Sequence, residues 1–220
     1  MAFVDIPTEL TTSATDAVLA VECVVIMAYL RRTPTGDRWR TGLWRWVFGL
    51  IAFSSFLGAI AHGLEMPDAV RESLWKPLYL SLGILVALFI VGAVLDWRGR
   101  AAAIRLVPWS IGAGAVFFGL TEFFGGAFIV FGLYEAAAMM TALAIYSFLE
   151  ATHRLKGAGL VAMAILLNLA AAGVQATDVL VRIVFPFDHN GVFHLVQMAS
   201  AAVLGLGLRI GMEPGAEKRA

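Results

Sequence analysis

Apolar residues run along this chain in seven long stretches, and short polar segments separate them. A helix rises ~1.5 Å per residue and a bilayer's hydrocarbon core is about 30 Å thick, so a crossing needs roughly 20 apolar residues. Stretches of about that length run from Thr12 to Leu30, Leu43 to His62, Trp75 to Leu95, Ile104 to Leu120, Gly126 to Leu149, Gly159 to Val184 and Asn190 to Leu208. The breaks between them carry turn chemistry. Arg31-Arg-Thr-Pro-Thr-Gly-Asp is a polar turn, Met66-Pro-Asp interrupts the chain after the second stretch, and Gly125-Gly126 makes a tight turn before the fifth. Pro186 is expected to end the sixth helix, because proline has no N–H and cannot continue it. The pattern predicts an all-α bundle of seven transmembrane helices over residues 1–211, followed by a short polar tail over 212–220. No internal repeat or second domain is visible. Gly112, Gly114 and Gly119 predict close packing of the fourth helix.

Composition supports a lipid-solvated surface. Of the 220 residues 60% are hydrophobic and 15% charged, against about 25% charged in a typical soluble domain. No basic block points to nucleic acid. The single cysteine, Cys23, cannot form an internal disulfide and reads as a small apolar filler. The segment from Met1 has two acids and no Lys or Arg, so it does not resemble a cleavable signal, and the first helix is expected to be retained.

Lys and Arg predict the orientation, since cytoplasmic connections carry them in excess. Arg31, Arg32, Arg38, Arg40 and Arg45, then Arg98, Arg100 and Arg105, then Arg154 and Lys156, then the segment after Leu208 fall on one side. Of the 16 basic residues, only Arg71, Lys76 and Arg182 fall on the other. The N-terminus is therefore expected outside and the C-terminus in the cytoplasm. The expected location is an inner (cytoplasmic) membrane of bacterial type. Trp39, Trp44, Trp46 and Trp97 would anchor the inner interface, with Trp75 and Tyr79 at the outer one.

An ionisable group inside a span costs ~2.5–3.5 kcal/mol or more unless it finds a partner or water. Asp16 and Glu22 lie in the first stretch, His62 ends the second, and Glu135 lies in the fifth. Asn168, Gln175 and Asp178 follow along the sixth, and His189, Asn190, His194 and Gln197 open the seventh. In the predicted orientation nearly all of them fall in the outer half of the bundle, which predicts a polar pocket open to the outside. Asp178 has Arg182 four residues on as an intrahelical partner. Asp188 and Asn190 are both suited to cap the seventh helix.

His62 and His194 share a depth on different helices. Neutral imidazole is a common zinc ligand, and a catalytic zinc takes three protein ligands plus water. His189, Asp178, Glu22 and Glu135 are candidates for the third ligand, and the acids are also candidates for a general base.

Two motifs resemble the seven-helix membrane hydrolase superfamily of alkaline ceramidases and progestin/adiponectin-type receptors. Ser54-Ser55-Phe-Leu-Gly-Ala-Ile-Ala-His62 is similar to its second-helix element, and Asn190-Gly-Val-Phe-His194-Leu-Val-Gln197 to its seventh-helix element. The resemblance implies a zinc ion and hydrolysis of a lipid amide or ester. The sequence departs from the pattern in three places. Asn190 stands where the family has a histidine, Gly58 stands four before His62, and no aspartate opens the third helix.

Three functions follow as expectations. The first is a zinc-dependent lipid hydrolase using His62, His194 and His189, with Asp178, Glu22 or Glu135 as catalytic acids. The second is a non-catalytic protein that binds or senses a small molecule or lipid through Ser55, Gln175, Asn190 and Gln197. The third is an electron-transfer protein with a b-type haem on His62 and His194. A retinal Schiff base needs a buried lysine, and Lys76, Lys156 and Lys218 all lie outside the spans or at their ends.

Overall fold

A computed structural model describes residues 2–34, 37–126 and 128–213. Among them are seven helices: α1 (Pro7–Arg31), α2 (Arg38–Gly63), α3 (Asp68–Arg98), α4 (Arg100–Phe123), α5 (Phe128–Ala151), α6 (Ala158–Gln175) and α7 (His189–Met212). All seven are long and apolar enough to cross a membrane. The polar tail expected from 212 lies, beyond residue 213, outside the described residues.

Local chemistry sets the helix ends. Pro7 opens α1, where a missing N–H costs nothing. The Asp37 carboxylate accepts from the Trp39 and Arg40 N–H groups at 3.0 Å and starts α2. Gly157 precedes α6 with φ 79°, a left-handed conformation that glycine adopts without strain. Asp188 caps α7 by accepting from Gly191 N–H at 2.9 Å.

Packing closes six of the helices into a ring in the order α1, α2, α3, α5, α6, α7, with α7 returning to α1. Helix α4 packs chiefly on α3 and stands outside the ring. Leu19, Trp44, Phe48, Phe89, Tyr146, Ile165 and Leu208 fill the ring interior. The outward faces are apolar as well, with Val21, Trp109, Leu133 and Met163 all exposed. Inside and outside are equally greasy because lipid, not water, is the outer solvent.

Three expectations are corrected. The sixth helix ends at Gln175 rather than Val184, and the next residues form a small hairpin, β1 (Val181–Arg182) paired antiparallel with β2 (Pro186–Phe187). The apolar run Val179–Phe185 read as helix, but Pro186 bounds a turn of the hairpin instead. Trp44 is not an interfacial anchor. It is fully buried, with its ring edge-on to Phe89 at 5.1 Å between centroids. Gly92 makes room for it, since a Cβ there would lie 2.6 Å from the indole. Of the three α4 glycines only Gly114 makes a close approach, to the Gly83 carbonyl of α3, while Gly112 and Gly119 face open space.

Candidate functional site

Near the end of the bundle that carries His62, the ring interior opens into a cavity of about 430 Å³. Its walls come from α1, α2, α3, α5 and α7, with Gln175 added from the end of α6. A narrower apolar pocket of about 60 Å³ continues from it and shares Ile51, Leu85, Glu135 and Gln197.

Two acid–imidazole pairs tie α1 to its neighbours. His62, in the last turn of α2, places Nδ1 2.6 Å from Glu9 Oε2 in the first turns of α1. The His62 ring meets Trp75 edge-on at 5.5 Å. His194 of α7 engages α1 through both ring nitrogens, with Thr15 Oγ1 at 3.1 Å from Nδ1 and Asp16 Oδ1 at 3.4 Å from Nε2. These pairs form because Thr12, Thr15, Asp16, Leu19 and Cys23 follow helical spacing along the buried face of α1.

Gly58 supplies the space for this arrangement. A Cβ at position 58 would stand 2.5 Å from Asp16 Oδ2. Gly58→Ala is therefore expected to displace the carboxylate and to cost about 1–3 kcal/mol, as overpacking does. The check is the denaturation midpoint in detergent, set against Gly112→Ala, whose new methyl meets nothing within 4 Å.

Amides complete the walls. Gln175 Nε2 donates to Asn190 Oδ1 at 3.1 Å, and Asn168 Nδ2 donates to Glu135 Oε1 at 2.8 Å. Glu135 is buried, and its other oxygen, Oε2, has no hydrogen-bond partner. Asp188, besides capping α7, accepts from Thr12 Oγ1 at 2.9 Å.

Of the residues singled out from the sequence, His62, His189, His194, Asn190, Gln197, Gln175, Ser55 and Glu135 all line the cavity. Asp178 and Glu22 do not. Asp178 is exposed in the connection after α6, because that helix stops three residues before it, and its expected helical pairing with Arg182 is absent for the same reason. Glu22 lies beyond the cavity walls on a half-buried flank of α1, between the exposed Val21 and Val24. Asp16 reads from the sequence as a charge within a span and proves to be a wall residue, a role legible in its helical spacing with Leu19 and Cys23. Glu9 was hidden because α1 begins at Pro7, earlier than the apolar pattern indicated.

The donors decide the fit to zinc. Among the described residues no group of three His, Cys, Asp or Glu side chains is placed to hold a metal ion. His62 and His194 each turn to an acid on α1 instead. The described residues do not form the three-ligand site that the hydrolase resemblance implies.

The fold and cavity define a class, that of polytopic all-helical proteins with a polar chamber among seven membrane-spanning-length helices. Within it, the chain belongs to the family of unknown function DUF6962, which it matches over residues 11–213. No curated protein and no solved structure matches the chain.

Proposed function

We propose that this protein is a non-catalytic membrane receptor or carrier that binds a small molecule or lipid headgroup in the cavity between α1, α2, α3, α5 and α7. The observation that carries the reading is the cavity itself, about 430 Å³ lined by acids, imidazoles and amides among apolar helices. Ligand sites are concave, largely apolar and furnished with a few convergent polar groups. Polar groups at membrane depth are costly without water or a partner, so a chamber that keeps them is functional by default. The Lys and Arg asymmetry supports an outward-facing chamber in a cytoplasmic membrane of bacterial type.

The test has two parts. Ser55→Cys puts a thiol on the wall, and the native Cys23 is fully buried. The new thiol is expected to react with a membrane-impermeant reagent added outside intact cells, and labelling only from the inner side would reverse the orientation. A panel of amino acids, amines, sugars and lipid headgroups is then screened by melting temperature with a chelator present. A ligand at 100 times its Kd adds about 2.7 kcal/mol to stability. At least one compound is expected to raise the midpoint in wild type but not in a Ser55→Trp variant that fills the cavity. A silent panel together with an unreactive Ser55→Cys variant removes the reading.

A further inference from the structure

The cavity's chemistry narrows what it can hold. Its walls carry two carboxyl side chains, Asp16 and Glu135, and no Lys or Arg. The walls also hold three imidazoles, His62, His189 and His194; Arg71 and Lys76, in the first turns of α3, are not wall residues, and Lys76 pairs with Glu122 at 3.5 Å. Asp16 already faces His194, with Oδ1 3.4 Å from Nε2. Glu135 is not fully served. Asn168 donates to one of its oxygens, while the other is buried and unpartnered at the junction of the cavity with its apolar extension. A buried acceptor left unmatched is costly, and native structures rarely keep one unless something else fills the need.

We propose that Glu135 is the anchor for a protonated primary amine, so that the ligand is a small ammonium compound, either free or presented as a lipid headgroup. This rests on the cavity being a binding site. A primary ammonium donates up to three hydrogen bonds and accepts none, which matches a wall short of donors, since Gln175 Oε1 is buried and unpartnered as well as Glu135 Oε2. It brings a compensating charge to a carboxylate, and charge-assisted contacts of this kind are stronger than neutral ones. Aromatic rings also line the space, and the faces of such rings attract cations. Trp75 and Tyr79 separate the cavity from a surface cleft that holds Glu72 and the Lys76–Glu122 pair. Glu72 leaves that cleft with one acid in excess, and the Asn168 amide holds Glu135 in place.

Three probes of one shape and different charge test the assignment: benzylamine, benzyl alcohol and benzoate. Binding to purified protein in nanodiscs is measured by calorimetry. Benzylamine is expected to bind at least about tenfold more tightly than benzyl alcohol, with benzoate weakest, because only the ammonium meets a buried carboxyl group. Glu135→Gln keeps the shape and the Asn168 contact and is expected to remove that preference while leaving benzyl alcohol binding in place. Should Glu135→Gln fail to fold, Asn168→Ala, which frees the Glu135 side chain to move, is expected to reduce the preference in the same direction. Benzyl alcohol or benzoate binding as tightly as benzylamine would overturn the ammonium assignment and leave the binding reading standing. Silence from all three probes also overturns the assignment, and the binding reading falls with it only if the wider panel is silent too. Nanodiscs of phosphatidylethanolamine and of phosphatidylglycerol separate the two sources, and both results uphold the assignment. Weaker benzylamine binding in phosphatidylethanolamine marks a headgroup ligand, and equal binding in both lipids marks a free amine.

Discussion

Asp96→Ala is expected to lower the stability of the bundle by about 3–5 kcal/mol, the range found when one member of a buried ion pair is removed. Arg40 of α2 and Asp96 of α3 meet at 2.7 Å, and their side chains are 9% and 1% exposed. Two further helices join them. Arg40 Nη1 donates to the Gly211 carbonyl of α7 at 2.5 Å, and the Tyr146 hydroxyl of α5 donates to Asp96 Oδ2 at 2.8 Å. Removing the carboxylate takes a close counter-charge from the buried guanidinium and leaves a phenol without its acceptor. The double variant Arg40→Met/Asp96→Leu is expected to lose clearly less than the two single variants together, because both members of the buried pair are then replaced by apolar side chains. Unfolding titrations in detergent check both statements. Lys76→Ala is the reference, since it breaks a pair whose side chains are 60% and 39% exposed, and such pairs contribute about 0–1 kcal/mol. If Asp96→Ala costs no more than Lys76→Ala, the four-helix clasp is not what holds this end together.

Gly157→Ala is expected to cost about 2–5 kcal/mol through two additive causes, backbone strain and overpacking. The residue has φ 79°, which strains an L side chain by about 1–2 kcal/mol. The Gly207 carbonyl of α7 also occupies the place a Cβ would take, with Ile210 Cβ 3.3 Å away, and overpacking of that kind adds about 1–3 kcal/mol. Gly125→Ala separates the two causes. Gly125 has φ 63° but nothing within 4 Å of its would-be Cβ, so it should show the strain alone, again about 1–2 kcal/mol. The reciprocal change, Gly207→Ala, puts a methyl 2.9 Å from Leu160 Cβ and 3.0 Å from the Gly157 carbonyl. Gly207 and Gly211 lie four apart on α7 and together seat the turn between α5 and α6, since a Cβ on Gly211 would lie 3.1 Å from the Lys156 carbonyl. This is the close backbone approach that small residues at four-residue spacing permit between membrane helices. Equal losses for Gly157→Ala and Gly125→Ala would show that the contact with α7 carries no weight.

These two regions also show where reading from sequence reached its limit. Gly207 and Gly211 stand four apart on α7, yet nothing in the chain says that they meet Gly157. Arg40 reads as a charge of an inner connection, because hydropathy registers where a residue falls along the chain and not which helices close around it. The sixth span failed for a related reason. Val179 to Phe185 is apolar enough to be helix, and its short hairpin depends on Thr11 of α1 donating to the Pro186 carbonyl at 2.7 Å. That tertiary contact has no local signature.

What the chain determined by itself was the number of helices, their approximate places along the sequence, and the clustering of polar side chains at one depth. These follow from one-dimensional quantities, the length of an apolar run and the cost of a charge in hydrocarbon. Only the tertiary structure decided the partners. It set α4 outside the ring and placed His62 on Glu9 and His194 on Asp16. It also left Glu22 and Asp178 away from the cavity and one oxygen of Glu135 without a donor. Partnership depends on how helices are rotated and which ones touch, and a helix that is apolar on every side carries little periodic signal to fix its rotation.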